Sequence, residues 1–523
     1  MPTTSKPHRT LSTLSLCGVF LSVYCLGSAG SAAAFHLNVS SVPVVRPVVV
    51  NPGLTRVPSL DAIGRAGSPH RSSRVIRVAP ALGGGAVTGS AAAAGGNNGR
   101  AIIPAGEQRF VGDEVITAFT PGTTARTIAQ VARRHGLAQL EVQNFPLIGT
   151  NLYRWRVGGR GSLADIVGAL GHERVVDAVQ PNYVYTLQGD TTPNAAAPAE
   201  TAPSPATGIS NERSTEAVPA IAPAALPPAA LAASGDPAQY VLTELEIPQA
   251  QQLATGKDVA VAVIDSEIDV KHPDLVGTVL KSFDALGGDD TPNSHGTAMA
   301  GAIAEHGRLL GIAPGVEILA IHAFSGTSGA AKGTSFAIYK SVQWAADNGA
   351  RVINMSFAGP PDPTMQRMLA AAFNKGIVLV AAAGNAGPKS GPLYPAADPD
   401  VIAVTATDSN ENIFDMANRG RYIAVSAPGV DVIALAPDAT YQVTTGTSVA
   451  AAHVSGVAAL LLERQSSLTP TEIRSVLMAT AIRIGKPMPD SDFGAGLVNA
   501  YRAVRWLDRK PPAPDNGGVQ AKQ

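Results

Sequence analysis

The sequence predicts an α/β fold for residues 237–508, a parallel sheet with helices on both faces, behind a small α+β unit at 107–188. Three observations predict it. Short apolar runs at 259–264, 317–322, 352–355, 377–381 and 401–405 alternate with stretches of helical spacing, the pattern of strands buried on both faces. Within 107–188 the apolar period switches twice between that of a strand and that of a helix. Between these regions, 189–236 is dominated by Pro and Ala and cannot bury a core.

Taken in order, the chain begins with a secretion-type leader at 1–34. Lys6 and Arg9 form a basic start, 11–26 is apolar, and 28–34 is rich in small residues. The competing reading is a membrane anchor, but the apolar run is short for a spanning helix and Ser interrupts it. Cys17 and Cys25, the only two cysteines, both lie in this segment. A chain without its leader therefore has no disulfide, no thiol chemistry and no cysteine-based zinc site. This suits a bacterial protein exported to the periplasm or the medium, with no membrane segment after the leader is removed. Residues 35–106 are low complexity, with Gly83-Gly84-Gly85 and a run of Ala at 91–94, and are expected to be disordered.

In the α+β unit, strands are expected at 111–119, 140–145, 152–157 and 175–179. A helix at 123–135 stops at Gly136, and a second, capped by Ser162, ends at Gly171. The order β-α-β-β-α-β is ferredoxin-like. The tail at 509–523 is polar and expected to fray. At 523 residues the chain exceeds one core, yet its net charge is only −1 and its charged residues 15%, so no whole-chain field favours nucleic acid or an anionic membrane.

Three local patterns carry chemistry. Val261-Ala262-Val263-Ile264-Asp265 is an apolar strand ending in a carboxylate, at the end of a parallel strand where ligands gather. Asn293-Ser294-His295-Gly296-Thr297 opens a helix of small residues that allows close packing around an imidazole. Thr445-Gly446-Thr447-Ser448 opens a second, apolar helix running to Leu462, whose positive end lies at the Ser hydroxyl. Alone, each is equally a structural residue: a turn-capping Asp, a helix-capping His, a Ser N-cap.

Together, and in the order Asp, His, Ser, they resemble the boxes of the subtilisin family of serine peptidases. Ala381-Ala382-Ala383-Gly384-Asn385-Ala386-Gly387 resembles the segment with that family's oxyanion asparagine, and Ile353-Asn354-Met355-Ser356-Phe357-Ala358-Gly359 its substrate-binding strand. The resemblance implies a subtilisin-like fold and acyl transfer. Ser448 would attack the scissile carbonyl, His295 would carry the proton, Asp265 would orient the imidazole, and Asn385 would bind the oxyanion. Ser356, Phe357, Ala358 and Gly359, with Ala383 and Gly384, would bind polypeptide substrate. No cofactor is implied for the chemistry. His453 and His272 read as packing residues.

The pattern departs in places. Glu267 stands where the family has Gly and would be strained if that position needs positive φ. Ala452 replaces a usual Pro. The stretch 304–314 is short for the family's strong calcium loop; Asp274 resembles one ligand, but the shell looks incomplete, so structural calcium is left open without a clear site. The acidic stretch 284–290 reads as a solvated loop. Residues 107–188 resemble the family's inhibitory prodomain, which implies a self-processing precursor with the tail at 179–187 lying in the cleft, and cleavage anywhere from that tail through the linker. No oligomerisation signal is seen, and a monomer is expected. One alternative reading is a weakened relative that binds peptides, with Glu267 as its support; another is a surface interaction protein, with residues 35–106 mediating attachment.

Overall fold

The structure, a computed structural model, describes residues 103–188 and 235–509, save 105, 160, 289–290, 327–329 and 487–489. The leader at 1–34, the low-complexity stretch at 35–106, the linker at 189–236 and the tail at 509–523 lie outside the described residues, apart from their edges at 103–106, 235–236 and 509.

The smaller unit runs β1 (Phe110–Phe119), α1 (Ala125–Arg134), β2 (Leu137–Phe145), β3 (Thr150–Val157), α2 (Leu163–Gly171) and β4 (Val176–Leu187). Its strands are antiparallel in the order β4-β1-β3-β2. The Thr124 hydroxyl caps α1 by accepting from Thr127 N–H, and Ser162 and Asp165 form a reciprocal capping box at α2. Val115 and Trp155 on one sheet face pack with Val131, Val167 and Leu170 of the helices. The opposite face, with Ile116, Phe145 and Leu152, shares a core with the larger domain.

The larger domain begins with α3 (Tyr240–Glu244), α4 (Ile247–Gln251), β5 (Ala260–Asp265), β6 (Val279–Asp284), α5 (Ser294–Ala304) and β7 (Glu317–His322). It continues with β8 (Lys332–Thr334), α6 (Ser335–Asp347), β9 (Val352–Met355), β10 (Phe357–Ala358), α7 (Pro363–Asn374) and β11 (Val378–Ala382). Next come β12 (Ile402–Thr407), β13 (Ile423–Pro428), the antiparallel pair β14 (Val432–Ala436) and β15 (Thr440–Thr444), then α8 (Thr447–Arg464), α9 (Pro470–Thr480) and α10 (Ala500–Trp506). Seven strands make one parallel sheet, in the order β13-β12-β11-β9-β5-β7-β6. Alternate residues of β5 serve its two faces. Val261 and Val263 pack with Met299 of α5 and Val454 of α8, whereas Ala262 and Ile264 pack with Ile338 of α6 and Met368 of α7. The chain leaves β5 towards β6 on one side, whereas it leaves the neighbouring β9 towards β11 on the other, so the carboxyl ends of β5 and β9 form a topological switch point.

The last strand of the smaller unit is longer than predicted. Twelve residues are extended, not the five expected at 175–179. The second half pairs outside its own unit, which an isolated reading of its apolar pattern does not reveal. Val184, Tyr185 and Thr186 lie antiparallel to Thr334, Gly333 and Lys332, and Leu187 and Thr186 pair with Phe357 and Ala358. One strand thus belongs both to its own sheet and to a three-stranded strip on the larger domain.

Helix α8 buries 16 of its 18 residues, so nearly every side chain on it is core. Leu460 is wholly buried there. Leu460→Ala is expected to cost about 2–5 kcal/mol, through lost burial and the cavity left behind. Urea denaturation should show a lower midpoint at unchanged slope.

Candidate active site

Asp265 is the last residue of β5 and is fully buried. Its Oδ1 accepts from Ser266 N–H at 2.8 Å and the Ser266 hydroxyl at 3.2 Å, which fixes the carboxylate. His295 is the second residue of α5, entered through an Asn293 cap that accepts from His295 N–H. The His295 Nδ1 to Asp265 Oδ1 distance is 2.7 Å. A carboxylate oxygen can only accept, so Nδ1 carries the proton and Nε2 of the neutral ring presents a lone pair. Nε2 is buried without a hydrogen-bond partner among the described residues.

Ser448 follows Thr447 at the start of α8. Its hydroxyl bonds to the Gln188 carbonyl and, at 3.3 Å, to the Ser356 carbonyl. Asn385 is held by Thr447, whose N–H and hydroxyl donate to Asn385 Oδ1 at 3.1 and 2.8 Å. That leaves Asn385 Nδ2 as a donor, and it points at the same Gln188 carbonyl at 2.9 Å. Gly446 completes the cradle: a Cβ there would stand 2.5 Å from the Gln188 oxygen. Residues picked from four sequence motifs are thereby joined in two pairs, Asp265 with His295 and Ser448 with Asn385, and the Gln188 carbonyl of the smaller unit is bonded by both members of the second pair.

Of the residues read as substrate-binding, Ser356, Phe357, Ala358 and Gly359 sit along the same tail. Ser356 O accepts from Gln188 N–H at 3.1 Å, and Phe357 and Ala358 form β10 beside Leu187 and Thr186. The Phe357 ring meets Tyr185 edge-on at 5.8 Å and Phe324 at 4.8 Å. At Gly359 a Cβ would collide with the Tyr185 ring at 2.3 Å. Ala383 N–H bonds to Val404 O in the sheet, and Gly384 N–H donates to the Thr447 hydroxyl at 3.2 Å. Gln188 itself was not singled out from sequence. A glutamine after an apolar strand carries no chemical signal, and only pairing register brings it here.

One expectation changes. Glu267 is not strained by positive φ: the non-glycine residues with that conformation are Glu246, Asp258, Glu411, Asp431, Asp438 and Ala439 among the described residues. Its carboxylate lies 3.5 Å from His322 Nδ1, with Asp284 at 3.4 Å from the same nitrogen. Asp274 resembles one ligand of the family's calcium site, whose shell looked incomplete in the sequence. Its Oδ2 accepts from the backbone N–H groups of Arg308 and Leu309 at 3.0 and 3.2 Å and from the Tyr441 hydroxyl at 3.3 Å. Donors thus crowd the oxygen that would face a cation, and these residues do not fit a calcium site. Among the described residues, no group of three or more His, Cys, Asp or Glu is arranged to hold a metal ion. No helix among them is long and apolar enough to cross a membrane.

A model of the subtilase family matches residues 256–496. Thermitase of Thermoactinomyces vulgaris is 37% identical over 276 residues, which cover 51% of this chain and 96% of that protein. Subtilisin DY of Bacillus licheniformis is 38% identical over 260 residues, covering 48% and 92%. Among solved structures, fervidolysin of Fervidobacterium pennivorans, described as a keratinolytic enzyme related to subtilisin, superposes with a TM-score of 0.61 at 24% identity. That match covers 80% of this chain and 64% of fervidolysin, and it speaks for the fold alone.

His453 is the second histidine on α8, and it is buried. Its Nδ1 lies 3.0 Å from Pro428 O, which can only accept, so the ring donates there. Burial holds its pKa down to about 4 from an ordinary 6.5, against a smaller upward pull from the Pro428 carbonyl. The ring is therefore neutral in the fold, and the unfolded chain binds the extra proton. Its contribution to stability is whole above pH 6.5 and is lost as the pH falls towards 4, a swing of about 3 kcal/mol. His453→Gln keeps a donor for Pro428 O without the titration. Denaturation midpoints followed from pH 7 to 4 should fall less steeply for this variant than for the parent chain.

Proposed function

The chain belongs to the subtilase family and is a serine endopeptidase, and on that premise we propose that it is made as a self-inhibited precursor, with Asp265, His295 and Ser448 as its triad and Asn385 as its oxyanion donor. One observation carries this reading: the carbonyl of Gln188 is held by the Ser448 hydroxyl and by Asn385 Nδ2 at once. A nucleophile and a charge-stabilising donor converging on one carbonyl is the geometry acyl transfer needs.

In the proposed cycle Ser448 Oγ adds to the substrate carbonyl and gives its proton to His295 Nε2. The bond from Nδ1 to buried Asp265 supports this, since it sets the tautomer and favours the imidazolium. Asn385 Nδ2 strengthens its hydrogen bond as the carbonyl becomes an oxyanion, and the α8 N-terminus adds a favourable field. His295 then protonates the leaving amine. Water hydrolyses the acyl-enzyme by the same route in reverse. Substrate would lie extended between β8 and β10, where backbone pairing tolerates many sequences; this suits polypeptides as the substrate class.

Residues 107–188 act, on this reading, as the prodomain. Its docking supports inhibition. Buried Gln180 donates to Tyr339 Oη at 2.8 Å and Asp362 Oδ1 at 2.7 Å, and accepts from the Thr364 hydroxyl at 2.7 Å. Buried Asn182 donates to Glu114 and accepts from Phe336 N–H at the start of α6. Burial, then the Asp362 charge, hold the Tyr339 phenol well above its ordinary pKa, so it remains a donor to Asp362. The leader at 1–34 supports export, and the mature enzyme is proposed to act as a monomer outside the cytoplasm. The peptide-binding alternative loses its support, because Glu267 is not strained by positive φ and sits against His322.

Ser448→Ala should abolish labelling by a fluorophosphonate and all peptide hydrolysis while leaving the fold intact by circular dichroism. Asn385→Gly should lower kcat by about 10²–10³ with KM little changed, a magnitude known from subtilisin itself. Retention of full activity by either variant rejects the assignment. Gln180→Ala in a separately supplied 107–188 fragment should weaken its inhibition of the mature enzyme, read as a raised inhibition constant.

A further inference from the structure

We infer that the larger domain carries a second peptide-binding site, a groove on α10 that takes an acidic segment of the polypeptide substrate away from the cleft at Ser448. The inference names a substrate class for the peptidase reading given above and rests on that reading. The groove is a surface cavity of about 590 Å³ between the last turn of α9, at Ala479 and Thr480, and α10 with the residues that follow it. It lies far from the nucleophile. Ser448 stands at the start of α8 and Arg464 at its end, so the helix rises about 24 Å between them. Arg464 then bonds to Asp508 on the groove wall at 2.7 Å. The groove residues 501–509 also lie beyond the stretch 256–496 matched by the subtilase model.

Its charge is one-sided. Arg502, Arg505 and Arg509 line it, against the single carboxylate of Asp508. That carboxylate is already shared: Arg464 holds one oxygen at 2.7 Å, and Arg505 lies 3.4 Å from the other. The ordinary role of such arginines is to offset the negative ends of helices. It accounts for Arg464 and Arg505, each in the last turn of its helix. It does not account for Arg502, inside α10, or Arg509, beyond its end. Neither of these makes an ion pair among the described residues. In a chain of net charge −1, this is a local field that attracts anions.

The rest of the lining selects a peptide. Tyr501 and Trp506 are half-buried, and the Arg509 guanidinium stacks 4.1 Å from the centre of the Trp506 ring. Stacking pre-orders that guanidinium and leaves its fork of N–H donors for a carboxylate. Across the groove, the last carbonyls of α9 have no donor within the helix and can accept from peptide N–H groups. Guanidinium forks, ring faces and carbonyl acceptors together match a short segment bearing Glu or Asp. A flat anionic membrane does not fit a concave groove. An extended residue spans at most about 3.6 Å, so such a segment lies at least about seven residues from the bond at Ser448. Holding it there raises the effective concentration of the rest of the chain at the cleft.

The test begins with binding to the full chain carrying Ser448→Ala, which does not consume the probe. The probe is a labelled peptide of alternating glutamate and alanine, followed by fluorescence anisotropy. Saturable binding is expected, with a change in Trp506 emission that Trp506→Phe removes. Affinity should fall with added salt, and by about tenfold in the double variant Arg502→Glu with Arg509→Glu. Both residues are exposed, so the denaturation midpoint should stay that of the parent chain. An unchanged affinity in the double variant, or equal binding of an alternating lysine and alanine peptide, overturns the site. Tighter binding of an oligogalacturonate than of the glutamate peptide overturns the peptide class. With Ser448 intact, the double variant should raise KM for a polypeptide bearing a glutamate-rich segment by about tenfold. Its kcat, and hydrolysis of a short neutral peptide, should not change. Hydrolysis with no difference between the two enzymes overturns the groove's role and leaves the peptidase reading standing. Binding by a chain that hydrolyses neither substrate overturns the peptidase reading, and the assignment of the segment as substrate with it.

Discussion

A helix buried on every side must be built from small residues, and α8 imposes that constraint on the larger domain. Its run Ser448-Val449-Ala450-Ala451-Ala452 lets the helix lie close against the sheet, within one core that also holds α5. The close approach has a chemical result. The first turn of α8 is delivered to the carboxyl ends of the parallel strands, where β5 ends in Asp265 and the chain beyond β11 carries Asn385. Thr447 ties the two by donating to Asn385 Oδ1. Packing and chemistry are thus the same requirement here. A larger side chain on the sheet side of α8 would displace the hydroxyl before it opened a visible cavity.

The smaller unit adds a second constraint, met with amides rather than charges. Gln180 and Asn182 bury both ends of their side-chain amides at the starts of α6 and α7. Each neutral amide both donates and accepts, so it satisfies several groups without the desolvation cost of an ion. The more exposed ion pairs around them, such as Lys340 with Glu141, lie where solvent screens them and weigh less.

Much of this was legible in the sequence, for identifiable reasons. Asp265 ends an all-apolar strand and His295 and Ser448 each open a run of small residues, but it is their order together, resembling the family's boxes, that singles them out. Most core strands of the parallel sheet were visible as apolar runs. Strand β6 was not, because only its Val279, Phe283 and Asp284 are even partly buried and the strand lies at the sheet edge. The resemblance implied that the tail at 179–187 lies in the cleft, but its continuation of β4 and its register were hidden because the partners are about 150 residues away. Gln188 was hidden for the same reason. Glu267 was misjudged because its conformation was inferred from what usually occupies the position, whereas its surroundings are set by His322 and Asp284 on the adjoining strands β7 and β6.

The shared strand β4 has a consequence for timing. On the reading of 107–188 as a prodomain, a break between it and the larger domain would remove none of the hydrogen bonds that hold the strand between β8 and β10. What such a break would change is molecularity. In a continuous chain the tail would compete for the cleft at a fixed effective concentration, whatever the protein concentration around it. In a severed chain the same contacts would form an ordinary bimolecular complex, whose occupancy falls as the solution is diluted. Dilution alone would then favour the open cleft, with no further signal required.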